Sequence, residues 1–331
     1  MKQLSLTQLI KIPKIRVVID KSYFKILLRR ASCKTNPLKD VILIRSLRIS
    51  YFGLLSLMRN TKSIPLPVMV KLMKITNESE AKVLKQIQGV CFERSRMPLQ
   101  IKMPLEVGFE IGNIIGHLLG DGGIDSQHSQ PCYSNSNKDL LKEMRKNILD
   151  IFAVAPRIWM QGPPTFEGKT TWDKKLSSID ECLWGRNCSL FYPTSVGRIL
   201  NSLFGNFAKG KFKQIPLEFV NYSKEFKRGL IRTFYDDEGT VGEKNIRVFQ
   251  SKKEILSVLR EILFSIGITP AEIKLYYKNN REHYYFDIFG KTNLETFDKL
   301  IGFTSKEKSK KLKKIKLRKR TFISLPLYNL K

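Results

Sequence analysis

The chain has 331 residues, of which 42% are hydrophobic and 10% aromatic, and it carries 59 Lys and Arg against 30 Asp and Glu, a formal net charge of +29. That apolar content is enough to bury ordinary cores, which excludes a disordered basic protein. The positive charge is far above what solubility requires and favours a polyanionic partner, with a ribosome-associated or membrane-surface protein as the plainer alternative.

The cysteines and the N-terminal residues indicate the cellular compartment in which the protein is expected. Five cysteines without a CxxC spacing, together with only three histidines, argue against a zinc site and more strongly against a disulfide framework. The first residues lack the features of a signal peptide, and no apolar run approaches the roughly 20 residues that span a bilayer. We therefore expect a soluble, cytoplasmic protein without a membrane partner, associated with the nucleoid if its source is prokaryotic.

Residues 1–100 predict a small helical domain that ends in a linker. Ser50 is placed to cap a helix, and the segment around it resembles the helix-turn-helix of phage-repressor-like domains, in which a later helix enters the major groove. The turn position that is often glycine in those domains is Arg48 here. A generic basic helical bundle is the alternative. The predicted helices are Tyr23–Ala31, Pro37–Leu47, Ser50–Asn60 and Pro65–Ile75, with a connective helix within Asn77–Met97.

Two apolar helices that each end in an acid and a glycine lie 117 residues apart. The first ends at Asp121 and the second at Glu238. A carboxylate in the last turn of a helix faces the negative end of the helix dipole, which costs up to about 1 kcal/mol. Finding this twice indicates that the acids serve something other than stability, and a shared divalent cation would supply the missing positive charge.

The same order of elements follows both helices. The junctions 135–141 and 250–256 match and set the register of an internal duplication, with a polar insertion at 162–186 in the first copy. In the first copy we predict strands at 131–134, 157–161 and 188–192 and helices at 137–152 and 195–204. In the second copy we predict strands at 246–250, 273–278 and 283–289 and helices at 252–266 and 293–301.

The two acid-tipped helices resemble the paired motifs of the dual-motif LAGLIDADG homing endonucleases, and residues 105–320 are similar to their repeat throughout. The resemblance implies an α+β fold in which two pseudo-symmetric αββαββα subdomains form a β-saddle, preceded here by the small helical N-terminal domain. We accordingly divide the chain into residues 1–100, 101–220 and 221–331, the last with a basic C-terminal segment.

The resemblance also implies a monomeric, sequence-specific endonuclease of double-stranded DNA that uses Mg²⁺ or Mn²⁺. Asp121 and Glu238 would be the catalytic metal ligands, and main-chain oxygens of Gly120 and Asp237 would add to the set. Lys211 and Lys308 are candidates for an auxiliary catalytic cation or for phosphate contacts, whereas His117 is given a structural role. The predicted DNA contacts are Asn135, Arg157, Trp159, Gln161, Lys211, Arg247, Gln250, Lys252, Lys274, Tyr276 and Lys278.

Two other functions stay open at this point. A DNA-binding regulator could keep the fold without cutting, and an RNA-binding splicing maturase would need the same charge, since charge does not separate DNA from folded RNA. The presence of both acids favours the nuclease over the regulator. An intein is disfavoured because neither end of the chain has the residues that protein splicing needs.

Overall fold

The architecture comes from a computed structural model that describes residues 6–34, 45–53, 63–92, 99–162, 171–209 and 212–317, apart from positions 11, 13, 46, 51, 52, 102 and 104. The predicted helices Pro37–Leu47 and Ser50–Asn60 fall largely outside these residues, as do Lys211 and the end of the basic C-terminal run.

Two consecutive units of the chain share one plan, as the duplication predicts. The first unit consists of α5 (Phe109–Leu119), β4 (Gly122–Ile124), β5 (Pro131–Asn135), α6 (Lys138–Phe152), β6 (Arg157–Gln161), β7 (Trp172–Leu176), β8 (Cys188–Phe191), α7 (Thr194–Phe204), β9 (Ala208–Lys209) and β10 (Phe212–Lys213). The second consists of α8 (Lys224–Glu238), β11 (Gly239–Val241), β12 (Asn245–Gln250), α9 (Lys253–Ser265), β13 (Lys274–Lys278), β14 (Arg281–Phe289), α10 (Lys291–Leu300) and α11 (Lys306–Leu317).

The strand order confirms the duplication independently of the sequence. The second sheet runs β11-β12-β14-β13, and the first contains the equivalent run β4-β5-β8-β6, with every neighbouring pair in both runs antiparallel. The first sheet is extended by β7 at one edge and by β9 and β10 at the other. The insertion at 162–186, predicted as a loop, therefore contributes a strand that pairs with β6.

Helices α5 and α8 pack against each other with their backbones in contact. A Cβ at Gly112 would lie 2.1 Å from the carbonyl oxygen of Phe226, and a Cβ at Gly229 would lie 2.1 Å from that of Phe109. Gly112 and Gly229 are 117 residues apart, and so are Phe109 and Phe226. The two contacts are therefore equivalent across a pseudo-twofold axis. Only glycine permits this approach, and it brings the two helix ends side by side.

The N-terminal region is not purely helical, which corrects the prediction. It contains α1 (Leu6–Leu9), α2 (Lys21–Lys34), α3 (Leu66–Thr76) and α4 (Glu80–Gln86), together with an antiparallel sheet ordered β2-β1-β3 from β1 (Ile15–Ile19), β2 (Ile64–Pro65) and β3 (Ile87–Phe92). The sequence of β1 is β-branched and alternates between buried and half-buried residues, a strand pattern. The predicted helix in Asn77–Met97 ends at Gln86, where the chain enters β3.

The start of the predicted helix-turn-helix is described, but most of its later helix is not. Arg48 adopts a left-handed conformation with φ of 54°, as a residue at the tight turn between two helices would. The Gly53 amide donates to the Ser50 hydroxyl over 3.0 Å, which is the N-cap geometry expected of Ser50. These local features agree with the prediction, and the helix-turn-helix itself stays a prediction.

Two further findings concern the cysteines and the membrane. Cys182 and Cys188 are joined by a disulfide across a Cα–Cα distance of 6.4 Å, although the spacing argued against disulfides. The six-residue separation gives no sequence signal because only the turn between β7 and β8 brings the two thiols together. Throughout the described part of the chain, no helix combines the length and hydrophobicity needed to cross a bilayer.

Candidate active site at the paired helix ends

The two motif acids occupy equivalent positions at the ends of α5 and α8, and each is held by a carboxamide from a neighbouring strand. Asn135, the last residue of β5, donates from Nδ2 to Asp121 Oδ2 over 2.9 Å. Gln250, the last residue of β12, lies close enough to Glu238 for its side chain to lower the pKa of that acid. The predicted proximity of Asn135 and Gln250 to the acids is thus observed, and their role as DNA contacts stays a prediction.

The acids lie in a shared electrostatic environment. Burial raises the pKa of Asp121 to about 7, helped by the negative charges of Asp237 and Glu238. Burial and the charge of Asp237 also raise the pKa of Glu238, against the opposing effects of Lys213 and Gln250. Because negative charge is crowded at these helix ends, a cation placed there would be favoured.

Part of that positive charge is supplied by lysines. Lys308 Nζ donates to the main-chain carbonyls of Tyr235, Asp236 and Gly239 over 3.0, 2.5 and 2.6 Å, which caps the C-terminal end of α8. Lys213 Nζ donates to the carbonyl of Gly120 at the end of α5. A cation at the end of a helix offsets the dipole. The two lysines therefore offset part of the negative charge of Asp121 and Glu238 at the helix ends without any metal.

The two lysines differ in how far they are engaged. The three donors of Lys308 all meet carbonyl oxygens, so its ammonium group is saturated. Among the described residues, Lys213 Nζ donates to one acceptor, and its charge acts on Glu238, Asp121 and Asp237. Burial lowers the pKa of both lysines. The sequence predicted Lys211 and missed Lys213. Lys209, Lys211 and Lys213 are spaced two residues apart, so their spacing does not indicate which of them contacts the helix ends.

Asp237 is a third acid at the site, but its side chain is fully occupied. It accepts hydrogen bonds from Tyr133 OH over 2.7 Å and from His117 Nδ1 over 3.1 Å, with the Asp121 amide at 3.5 Å. It lies against Gly120, where a Cβ would come within 2.6 Å of its carboxylate. The main-chain oxygen of Gly120, predicted as a metal ligand, already accepts from Lys213; that of Asp237 stays a prediction.

His117 is the centre of a buried charged network, which agrees with its structural assignment. Burial alone would lower the pKa of His117, but Asp237 and Glu143 outweigh it and raise the pKa to about 9. Glu143 in turn accepts from Thr304 over 2.7 Å, so the network joins α5, α6, α8 and the segment before α11. The sequence signal for the His117–Asp237 pair is a single histidine in the first motif helix and an additional acid in the second.

The predicted readout residues of the second sheet lie together on one face but are not equally available. Lys274 and Lys278 are exposed. Tyr276 is packed against three other aromatic rings, Phe249, His283 and Tyr285. Arg247 is paired through Nε and Nη2 with Asp287 over 2.7 and 2.9 Å and stacks on Tyr285, so two of its donors are already used.

The first sheet carries its predicted contacts on the corresponding face. Arg157 is exposed, whereas Trp159 and Gln161 are half-buried, and Gln161 donates to the Ser189 hydroxyl over 3.3 Å. Lys252 lies nearer to the acids than these residues, since its Nζ donates to the carbonyl of Lys213 over 3.3 Å. Lys211 lies outside the described residues.

The ligand set for a metal is small. Within the residues that the structure covers, no group of three or more His, Cys, Asp and Glu side chains could hold a metal ion. Asp121 and Glu238 supply two hard carboxylates at the ends of the paired helices, where Asp121 keeps an exposed surface and Glu238 is half-buried. Mg²⁺ commonly takes one or two protein carboxylates and completes its shell with water and substrate phosphate, so this donor set fits that ion.

Comparison with known proteins gives similar folds at low identity. The matches include I-DmoI in complex with DNA and Mn (14% identity, 60% of this chain and 98% of that chain, TM-score 0.40), I-WcaI bound to its DNA recognition sequence (16%, 61% and 86%, 0.39) and the N-terminal LAGLIDADG domain of DUF199/WhiA (12%, 61% and 85%, 0.36).

Curated relatives match over short segments. The chain is 34% identical over 124 residues to a probable translation initiation factor IF-2 of Methanocaldococcus jannaschii, covering 35% of this chain and 11% of that protein. It is 23% identical over 209 residues to the replication factor C small subunit of the same organism, covering 62% of this chain and 10% of that protein. The chain thus spans about a tenth of the length of these relatives.

The sequence model of the LAGLIDADG-like domain matches residues 225–302. The matched segment contains nearly all of α8, with Glu238 at its end, and the four strands of the second sheet. Residues 225–302 thus match a LAGLIDADG-like domain, in agreement with the motif resemblance of the second unit.

Proposed function

We propose that the chain is a metal-dependent endonuclease of double-stranded DNA that hydrolyses phosphodiester bonds at the ends of α5 and α8. The observation that carries the proposal is that Asp121, bonded by Asn135, and Glu238, beside Gln250, occupy equivalent ends of two helices whose backbones are in contact.

Each residue at the helix ends has a separate role in the proposed reaction. Asp121 and Glu238 would hold Mg²⁺ or Mn²⁺, which when bound supplies charge neutralisation at the phosphate and a more acidic water. Asn135 and Gln250 fix the orientation of the two carboxylates. Lys213, with donors to spare beside both acids, would stabilise negative charge on the leaving oxygen.

The two sheets would lie along the duplex. Their exposed faces carry Arg157, Lys274 and Lys278, and the whole chain has a net charge of +29. Antiparallel ribbons of this kind fit the major groove, where base edges are read. The remaining predicted contacts, including Trp159, Gln161, Lys252 and Tyr276, lie on or beside these faces.

A second candidate is a duplex-binding protein that does not cut. Lys308 and Lys213 already compensate part of the negative charge at the helix ends, so the acids are tolerated in the fold without a metal. The same cationic surface would then serve binding alone.

The two functions separate in one experiment. A random duplex library is incubated with the protein and Mg²⁺, Mn²⁺ or Ca²⁺, and cleaved and bound sequences are recovered separately. We expect cleaved products with Mg²⁺ or Mn²⁺ that Asp121→Asn and Glu238→Gln abolish, while both variants keep duplex binding and thermal stability. Asp150→Asn, which alters an exposed acid on α6, is the matched control and should cleave normally.

The result can contradict either reading. Cleavage by Asp121→Asn or Glu238→Gln at the wild-type rate would remove the proposed catalytic role. Recovery of bound but never cleaved sequences from the wild-type protein, with every metal, would favour the non-cleaving candidate.

A further inference from the structure

A short loop between the 3-10 turn at 179–181 and β8 has a rigid backbone. The Cys182–Cys188 disulfide closes it, and inside the ring the Arg186 amide donates to the carbonyl of Leu183 over 3.2 Å. Gly185 has φ of +74°, the left-handed conformation that a type II turn requires at its third residue. Trp184 is therefore the second residue of a tight turn inside a closed ring.

The loop presents apolar side chains to solvent. Trp184 is 99% exposed and Leu183 is 60% exposed, whereas the flanking Cys182 and Cys188 are buried. The base of the loop is braced, because Arg186 pairs with Asp173 on β7 at 3.5 Å and Asp180 pairs with Lys142 on α6 at 2.5 Å. A rigid backbone lowers the entropic cost of using an exposed indole as a contact.

The loop leads into the end of β8 that lies beside the last residue of β5, near the proposed chemistry. Cys188 is the register partner of Asn135, the residue that donates to Asp121. Four residues span at most about 14 Å and paired strands lie about 5 Å apart, so Trp184 lies within about 20 Å of Asn135. One turn of duplex DNA is about 34 Å long, so a duplex with a scissile phosphate at Asp121 would pass within reach of this loop.

The charges around the loop suit a phosphate backbone. Two acids near the loop, Asp173 and Asp180, are paired with basic side chains, and a third, Glu181, accepts from the Ser177 amide over 3.4 Å. Lys174 and Lys175 on the adjoining strand β7 are exposed. An apolar tip flanked by free lysines matches a partner with a charged outside and an apolar base stack, which proteins contact with apolar side chains inserted at base steps.

We propose that the closed loop 182–188 is a duplex-contacting wedge that places Trp184, supported by Leu183, against the DNA beside the first acid. The proposal rests on the proposed DNA-binding function and adds a contact that the two sheets do not provide. It also gives a role to the insertion that distinguishes the first unit from the second.

Fluorescence can follow this contact directly. In a protein carrying Trp159→Phe and Trp172→Phe, Trp184 is the remaining tryptophan, since the chain has three. We expect titration with a 40-base-pair duplex of random sequence in Ca²⁺ to shift its emission and to lower its quenching by acrylamide several-fold. In the otherwise native chain, Trp184→Ala should weaken binding of the same duplex at least about fivefold, as for a contact worth more than 1 kcal/mol.

The controls separate this proposal from the proposed function. Phe264→Ala removes a ring that is 42% exposed on α9 and should leave duplex affinity unchanged. If Trp184→Ala binds the duplex as tightly as wild type and Trp184 emission is unaffected, the wedge is refuted while DNA binding stands. A wild-type protein that does not bind the duplex refutes both. A Trp184-dependent dimer in sedimentation would refute the wedge and identify a second copy as the partner.

Discussion

Replacing Gly112 by alanine tests the close packing of α5 and α8 on which the site depends. The added Cβ would lie 2.1 Å from Phe226 O and 2.9 Å from Leu230 N, whereas ordinary contact begins near 3.4 Å. Both obstructing atoms belong to the backbone of α8, so the helices would have to separate by about 1 Å. Overpacking of this kind costs about 1–3 kcal/mol or more.

Helix propensity acts in the opposite direction, so the sign of the change in the free energy of unfolding shows which effect is larger. Alanine is favoured over glycine inside a helix by about 1 kcal/mol, so we expect a net loss of about 2 kcal/mol in the free energy of unfolding. The same separation would move Asp121 relative to Glu238, and a displacement of about 1 Å can cost about 100-fold in rate. We therefore expect both lower stability in urea and slower Mg²⁺-dependent nicking of a selected duplex.

A neighbouring glycine provides the matched control. At Gly108, the N-cap of α5, the nearest atom to an added Cβ is 3.9 Å away, in the flexible side chain of Glu110. Gly108→Ala should therefore leave nicking close to wild type and lose only the N-cap preference of glycine over alanine, about 0.5–1 kcal/mol. If Gly112→Ala were as stable as Gly108→Ala, helix propensity would have prevailed. The backbone contact between the two helices would then not exist as described.

Two further predictions concern the charged groups at the site. The pKa of His117 is raised from 6.5 to about 9 in the folded chain, so its contribution is fully present below pH 6.5 and is lost as pH rises through 9. The stabilisation from the charged imidazole is about 3 kcal/mol. The free energy of unfolding in urea should therefore fall between pH 6 and 9.5 in the wild type and stay level in His117→Gln. The same pH dependence in both proteins would argue against a charged imidazole. Lys213→Met, which leaves one carbonyl without its donor, should lower single-turnover nicking about 100-fold. It should destabilise the fold less than Lys308→Met, which leaves three carbonyls without their donor and should act mainly on stability. The reverse pattern would exchange the roles assigned to these lysines.

Local sequence signals were sufficient for the repeat and for the acids. The periodic apolar helices, the junctions after Asn135 and Gln250 and the β-branched strands each depend on neighbours in the chain, so their order could be predicted from spacing. The motif resemblance then related Asp121 to Glu238, and the fold placed both at adjacent helix ends.

The N-terminal sheet and the insertion strand β7 were missed for a different reason. A strand gains its stability from a partner, and the partners of β1 and β7 lie far away along the chain or beyond a segment of low periodicity. Arg247 was predicted as a DNA contact, and its engagement with Asp287 could not be foreseen because it depends on the register between β12 and β14.

By itself the sequence determined that this chain is a basic, duplicated α+β protein with one acid at the end of each of two glycine-bearing helices. Only the tertiary structure decided which groups surround those acids, namely Lys213 and the His117–Asp237 pair across the helix contact, and that a closed loop holds Trp184. The reason is that charge compensation and burial act through space at a few ångströms, and residues 100 positions apart become neighbours only when α5 and α8 pack together.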